Sequence, residues 1–199
     1  MDKIIKEIAA REVNYKDEKF SDFAGLIKKL DENIDDLRSR LKSENRLLSV
    51  NQLFDENIRK GKRLFDHDVF CEMTDFTRSK TDKENKYQGV YVFCKKLQDE
   101  MYPVYLGISK NIAQRLRGHL FNTYKGTTTW FYLMARRKNG NRPYADNQSA
   151  SEAIVKIRDQ WIDELKVMAY PVEGNYEMAL AEIYMASKLK VYWNSFETH

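Results

Sequence analysis

The sequence predicts an α+β fold, and three observations carry that prediction. Apolar residues step by three and four positions through most of the first sixty residues, which is helical spacing. Two runs of β-branched and aromatic residues, around Val90 to Val92 and Pro103 to Gly107, flank a polar turn at 95–101, as in a hairpin. Beyond the hairpin, capped helical stretches surround one further strand, so the second half of the chain reads β-β-α-α-α-β-α.

The N-terminal region begins with a short apolar stripe, Ile4, Ile5, Ile8 and Ala9. A longer stripe follows, Phe23, Leu26, Leu30, Ile34, Leu37 and Leu41, with Ser21 placed to cap the helix and a break near Ser43. A third stripe, Val50, Leu53, Phe54 and Ile58, ends at Gly61, a residue suited to stopping a helix. Residues 1–70 therefore read as a helical region. It is either a subdomain packed on the rest of the chain or a coiled-coil arm for dimerisation, although the repeat covers fewer than three heptads. The polar, charge-rich stretch 71–86 reads as a linker, which leaves 87–199 as the second domain.

Within that domain Asn111 caps a helix running to about residue 124, with Gln114 three positions on, and Gly126 ends it. A second helix is expected over 128–137 and a third from a capping box at Ser149 to Glu152, reaching about 164. Val167, Tyr170 and Val172 mark a strand over 165–172. Gly174 and Asn175 then turn the chain into a final helix over 176–190, with Glu177 in its first turn and Lys188 and Lys190 in its last, as the helix dipole favours.

Composition narrows the function. No apolar run is long enough to span a membrane and the first residues do not resemble a signal peptide, so a soluble, cytoplasmic protein is expected. Two cysteines, Cys71 and Cys94, without CxxC spacing, argue against a disulfide framework or a structural zinc site. The net charge is +4, yet residues 1–86 hold 19 basic and 19 acidic side chains, so the excess falls entirely in the second domain. Between Glu100 and Asp146 there is no acid, but there are eight bases: Lys110, Arg115, Arg117, Lys125, Arg136, Arg137, Lys138 and Arg142. A field of one sign suits a polyanion; a merely solvated basic face is the plainer alternative.

Several side chains have the chemistry of a site. On a helix, Glu182 has Met178, Ala179, Met185 and Ala186 as its surface neighbours, all apolar. A carboxylate so placed needs a partner, either a divalent cation or an arginine. Arg115 and His119 lie four apart on one helix face, where a guanidinium can grip a phosphate and an imidazole can move protons near neutral pH. Tyr91 and Tyr105 stand in the two hairpin strands; a phenol ionises near pH 10 and needs a nearby cation to act as a base. Gly89 and Gly107 suggest close backbone approach. His67 and His199 have no comparable surroundings.

The triplets Gly89-Val90-Tyr91 and Tyr105-Leu106-Gly107, the run from Ile108 to Ile112 leading to Arg115, then Ala181-Glu182 and Asn194, resemble the signature of the GIY-YIG nuclease superfamily. The resemblance covers roughly 87–194. The Arg115-x-x-x-His119 pair and the stretch from Gly126 to Thr129 are similar to its type II restriction endonuclease branch. It implies a small three-stranded antiparallel sheet flanked by helices and a Mg²⁺-dependent endonuclease acting on double-stranded DNA, with Mn²⁺ as a substitute metal. It also implies roles: Glu182 on the metal, Tyr91 and Tyr105 on the attacking water and the phosphate, Arg115 on the transition-state charge, and Asn194 in local hydrogen bonds, with the general base left open between Tyr91, His119 and a hydroxide. Restriction or host defence, by a homodimer at a symmetric site, is the leading expectation. A nuclease of repair intermediates and a non-catalytic DNA-binding module are the alternatives.

Overall fold

The computed structural model describes residues 22–43, 46–59, 62–79, 87–123 and 129–194. The expected stripe at Ile4 to Ala9, the cap at Ser21, Gly61, Lys125, Gly126 and His199 lie outside these residues. The fold is α+β. Its centre is a five-stranded sheet in the order β1 (Leu48–Ser49), β6 (Leu165–Pro171), β4 (Gly89–Leu97), β5 (Glu100–Ser109) and β7 (Trp193–Asn194). The first four strands are antiparallel and β7 runs parallel to β5. The three strands expected from sequence form the middle, and two-residue strands extend both edges. Strands that short carry no readable alternation, which is why the count of three falls short.

The β4–β5 hairpin turns through Gln98 and Asp99, both at positive φ (50° and 70°), as a two-residue turn matched to strand twist requires. Tyr91 pairs with Gly107 and Phe93 with Tyr105, and a bulge then shifts the register so that Cys94 faces Pro103. Alternation along β4 divides its side chains. Tyr91 and Phe93 join one core with Tyr105, Leu116, Trp130 and Ile154, while Val90, Val92 and Cys94 join the other with Leu106, Met168 and Met185. Helices α4 (Ile112–Phe121), α5 (Thr129–Lys138) and α6 (Asn147–Asp159) contribute to the first core, whereas α1 (Phe23–Leu41) and α7 (Asn175–Leu189) contribute to the second.

The α1 stripe is buried within this chain: Leu30, Ile34 and Leu37 share a core with Val90, Leu106 and Met178. Asp22 caps the helix by accepting from the Gly25 N–H at 2.8 Å. The Tyr170 hydroxyl donates to Asp36, and a guanidinium nitrogen of Arg38 donates to the Lys188 carbonyl at the end of α7.

The third N-terminal stripe is not one helix. A single turn, α2 (Val50–Leu53), is closed by a capping box between Ser49 and Gln52, and the chain then extends into β2 (Phe54–Arg59), paired with β3 (Lys62–Phe65). Phe54 and Ile58 are four apart, a step that keeps one face on a strand as well as on a helix, so the spacing alone does not decide. The rings of Phe54 and Phe65 settle edge to face across the pair, with centroids 5.3 Å apart. Helix α3 (His67–Met73) enters the expected linker, where Phe76 stacks on Phe70 and meets Tyr87. Asp146, not Ser149, caps α6, accepting from the Ser149 N–H at 2.7 Å; the helix ends at Asp159 and a 3₁₀ turn (Ile162–Glu164) leads into β6.

Candidate active site

The hairpin register puts a phenol over a glycine. Tyr91 faces Gly107 across the strand pair, and a Cβ at Gly107 would lie 2.6 Å from the Tyr91 hydroxyl and 2.9 Å from its Cζ. Only a residue without a side chain leaves room for that ring. At Gly89 a Cβ would lie 2.1 Å from the Tyr170 carbonyl oxygen, so this glycine answers to the β4–β6 approach instead.

Helix α4 brings its face to the same place. Asn111 caps it by accepting from the Gln114 N–H at 3.0 Å, and Leu116 and Leu120 anchor its apolar side. His119 Nε2 lies 2.9 Å from the Tyr91 hydroxyl, and Arg115 Nε donates to that same oxygen at 3.4 Å. The phenol therefore sits between a guanidinium and an imidazole. With Arg115 donating to its oxygen, the phenol proton is directed to His119 Nε2 whenever that nitrogen carries the lone pair. Tyr105 completes the cluster, its ring 6.0 Å from that of Tyr91 and 5.2 Å from the imidazole. Its buried hydroxyl lies near Tyr91 and Arg115 without a well-formed hydrogen bond among the described residues, and His119 Nδ1 likewise finds none among them.

Burial dominates the electrostatics. It holds the Tyr91 phenol well above the ordinary tyrosine range, with the neighbouring Tyr105 adding to the rise and Arg115 opposing it. Burial also raises Tyr105, partly offset by Tyr91 and Arg115, and the Glu182 carboxylate pushes in the raising direction. His119 is held well below the usual imidazole range by burial first and by the Arg115 charge second. In the resting site the phenols and the imidazole are thus neutral beside one fixed cation.

Glu182 is 4% exposed on α7, flanked by the buried Met178, Met185 and Ala186. Of the cluster's groups its charge bears on Tyr105, opposing ionisation of that phenol. Among the described residues no group of three or more His, Cys, Asp or Glu side chains is arranged to hold a metal. One carboxylate is nonetheless a sufficient protein ligand for a hard cation that keeps water and phosphate oxygens. Asn194 pairs through its backbone with Leu106, one position beyond the Tyr105–Trp193 pair.

A cavity of about 360 Å³ opens beside Arg115, lined also by Ser109, Lys110, Gln114, Gly118 and Asn122. Of the bases expected to meet a polyanion, Lys110 lines this cavity and Arg117 lines a neighbouring one. Arg136, Arg137 and Lys138 end α5, with Arg142 exposed in the loop that follows. The Arg137 guanidinium lies 5.1 Å from the Tyr192 ring centre and 5.4 Å from that of Trp193. Trp130, absent from the expected set, stacks on Tyr105 at 5.2 Å. Gly118 was also missed, although a glycine inside a helical pattern is itself a signal. His67, expected to be incidental, shares a 2.9 Å hydrogen bond with the Tyr87 hydroxyl. Scans of protein-family models, curated proteins and solved structures find no match to this chain.

Proposed function

We propose that this chain is a Mg²⁺-dependent DNA endonuclease of the GIY-YIG type, closest to the restriction branch of that superfamily. The observation that carries the proposal is the Tyr91 hydroxyl held between Arg115 and His119 above Gly107, with Glu182 acting on the adjoining Tyr105. Side chains from a strand and from one helix turn share a small polar cluster in an otherwise apolar core, with Glu182 of another helix bearing on its edge, an arrangement that packing alone does not call for.

In this mechanism the cavity beside Arg115 receives the scissile phosphate, and Lys110 adds a second positive charge at its wall. A water attacks phosphorus in line with the departing sugar oxygen. Tyr91 accepts the water's proton as its own proton passes to His119 Nε2, so no charge is stranded on a buried phenol without a partner. Arg115 donates to the Tyr91 oxygen and balances the charge that gathers on the phosphoryl oxygens as the P–O bond to the leaving oxygen breaks. Tyr105 orients the water and the phosphate, and Trp130 holds the Tyr105 ring in place. Glu182 would hold the divalent cation, which supplies Lewis acidity at the phosphate and lowers the pKa of a bound water. The free energy needed is considerable, because burial and the Arg115 charge disfavour an imidazolium; the negative charge of bound DNA offsets part of that cost.

Supercoiled plasmid tests the assignment. Purified protein with Mg²⁺ is expected to cut it, and Glu182→Ala to slow cutting by about a thousandfold or more. Discrete fragments on long DNA are expected of a restriction activity. Plasmid left intact in both Mg²⁺ and Mn²⁺, or a Glu182→Ala protein as active as the wild type, would sink the proposal.

A further inference from the structure

A second cavity, of about 420 Å³, lies beside the one that Arg115 lines, and Asn111 and Gln114 border both. Helix α4 supplies one wall with Ala113 and Arg117, while Leu64, Phe65 and His67, at the passage from β3 to α3, supply the other. Arg115 and Arg117 are two positions apart on a helix, so they leave it on opposite flanks, with the shared rim between them. Neither cavity is lined by an acid among the described residues.

Arg117 is situated unlike the other bases of this stretch. Arg136 donates to the Asn141 carbonyl, Arg137 stacks on two rings, and Lys138 reaches Gln160. The Nε–H of Arg117 is shut off from water and has no acceptor among the described residues. A buried, unpaired donor on a cation is costly, and a guanidinium at a cavity wall suits an anion that accepts two hydrogen bonds. Two basic cavities with a common rim fit a polymer that repeats its charge along its length.

Taking the first cavity as the seat of the scissile phosphate under the cleavage mechanism above, we propose that the second holds an adjacent phosphate of the same DNA strand, gripped by Arg117. Helix α4 then engages consecutive phosphates with its two flanks. Such a contact sets the register of the strand and carries no sequence information of its own.

The test measures binding of the full chain to a mixed-sequence duplex of about 30 base pairs, with Ca²⁺ replacing Mg²⁺, between about 50 and 200 mM salt. Arg117→Met is expected to weaken binding roughly eightfold near 0.1 M salt and to cut the slope of log K against log salt by about 0.9, equally for all sequences. Arg117→Lys keeps the charge and is expected to keep the slope, and thermal midpoints of both variants near the wild type separate a lost contact from a lost fold. Once the cut is mapped, an uncharged methylphosphonate beside it should weaken the wild type and leave Arg117→Met no weaker than it already is. An unchanged slope in Arg117→Met overturns the proposal, as does a loss confined to particular sequences, which would mark a base contact. A chain that binds duplex but never cuts it in Mg²⁺ sinks the cleavage mechanism while the salt comparison still decides the Arg117 contact; a chain that binds no duplex overturns both.

Discussion

The two faces of the central sheet are built by the same alternation and packed with different chemistry. One face sets Val90, Val92, Leu106 and Met168 against α1 and α7, and its interior is almost wholly aliphatic. The other sets Tyr91, Phe93 and Tyr105 against α4 and α5, where aromatic rings surround a phenol, an imidazole and a guanidinium. The aliphatic face has dispersion and area burial to stabilise it and little to do chemically. Among the described residues the aromatic face keeps several polar atoms out of water without a hydrogen-bond partner, the Tyr105 hydroxyl, His119 Nδ1 and Trp130 Nε1, against Asn33 Nδ2 on α1 at the other face. Incomplete satisfaction of that kind costs stability and is typical of sites that await a ligand. Glu182 links the two: its helical neighbours belong to the aliphatic core, yet its charge is felt by a phenol of the aromatic one.

The largest expected effect is on the aliphatic face and should be confined to stability. Leu37 is fully buried on α1, and Leu37→Ala removes methyl groups from a packed interior. A loss of about 2–5 kcal/mol is expected in urea unfolding, with the proposed plasmid cutting by the still-folded protein unchanged. A matching fall in rate would break the division between a supporting face and a working one.

On the aromatic face the corresponding change is Gly107→Ala. The added methyl would have to lie 2.6 Å from the Tyr91 hydroxyl, so the ring must move away from His119 and Arg115. The backbone there is ordinary β-strand, so the fold should survive. The proposed cutting is expected to slow about a hundredfold, the scale set by displacing a positioned group by an ångström or so. Full activity in this variant would show that the Tyr91 position does not matter to the reaction.

The grouping of the candidate site was more legible in the sequence than the scaffold around it. Tyr91, Tyr105, Arg115 and His119 could be grouped beforehand because a hairpin and a single helix turn fix their relations locally: Tyr91 faces Gly107 through strand pairing, and Arg115 and His119 share a helix face. Glu182 stood out because every helical neighbour was apolar. Trp130 gave no such signal, since one aromatic at a helix start looks like any core residue until its ring is found on Tyr105. Phe54 and Ile58 read as part of a helix because a four-residue step fits helix and strand alike, and the pairing of Phe54 with Phe65 is a tertiary event. The edge strands β1 and β7 take their character entirely from the strands beside them. Arg117 looked like any other base of its stretch; what sets it apart is the cavity made with residues from β3 and α3, some fifty positions earlier in the chain.

The smallest effect sharpens the same comparison through pH. His119 is completely buried, and both burial and Arg115 hold its folded-state pKa well below the value near 6.5 of an unfolded imidazole. Below about pH 6.5 the unfolded chain therefore takes up a proton that the folded chain refuses, and the unfolded state binds more protons. Stability is complete above that pH and falls as the solution is acidified toward the lower folded-state value, by at most about 1.4 kcal/mol per pH unit for one group. Urea unfolding between pH 7.5 and 5 should show this decline in the wild type and a shallower one in His119→Phe, whereas Leu37→Ala should shift the whole curve down with its slope intact. A wild-type stability that rises on acidification, and no longer does so in His119→Phe, would mean that His119 gains an anionic partner in the folded state, and the aromatic face would then hold a charged pair where a hydrogen bond between neutral groups is found.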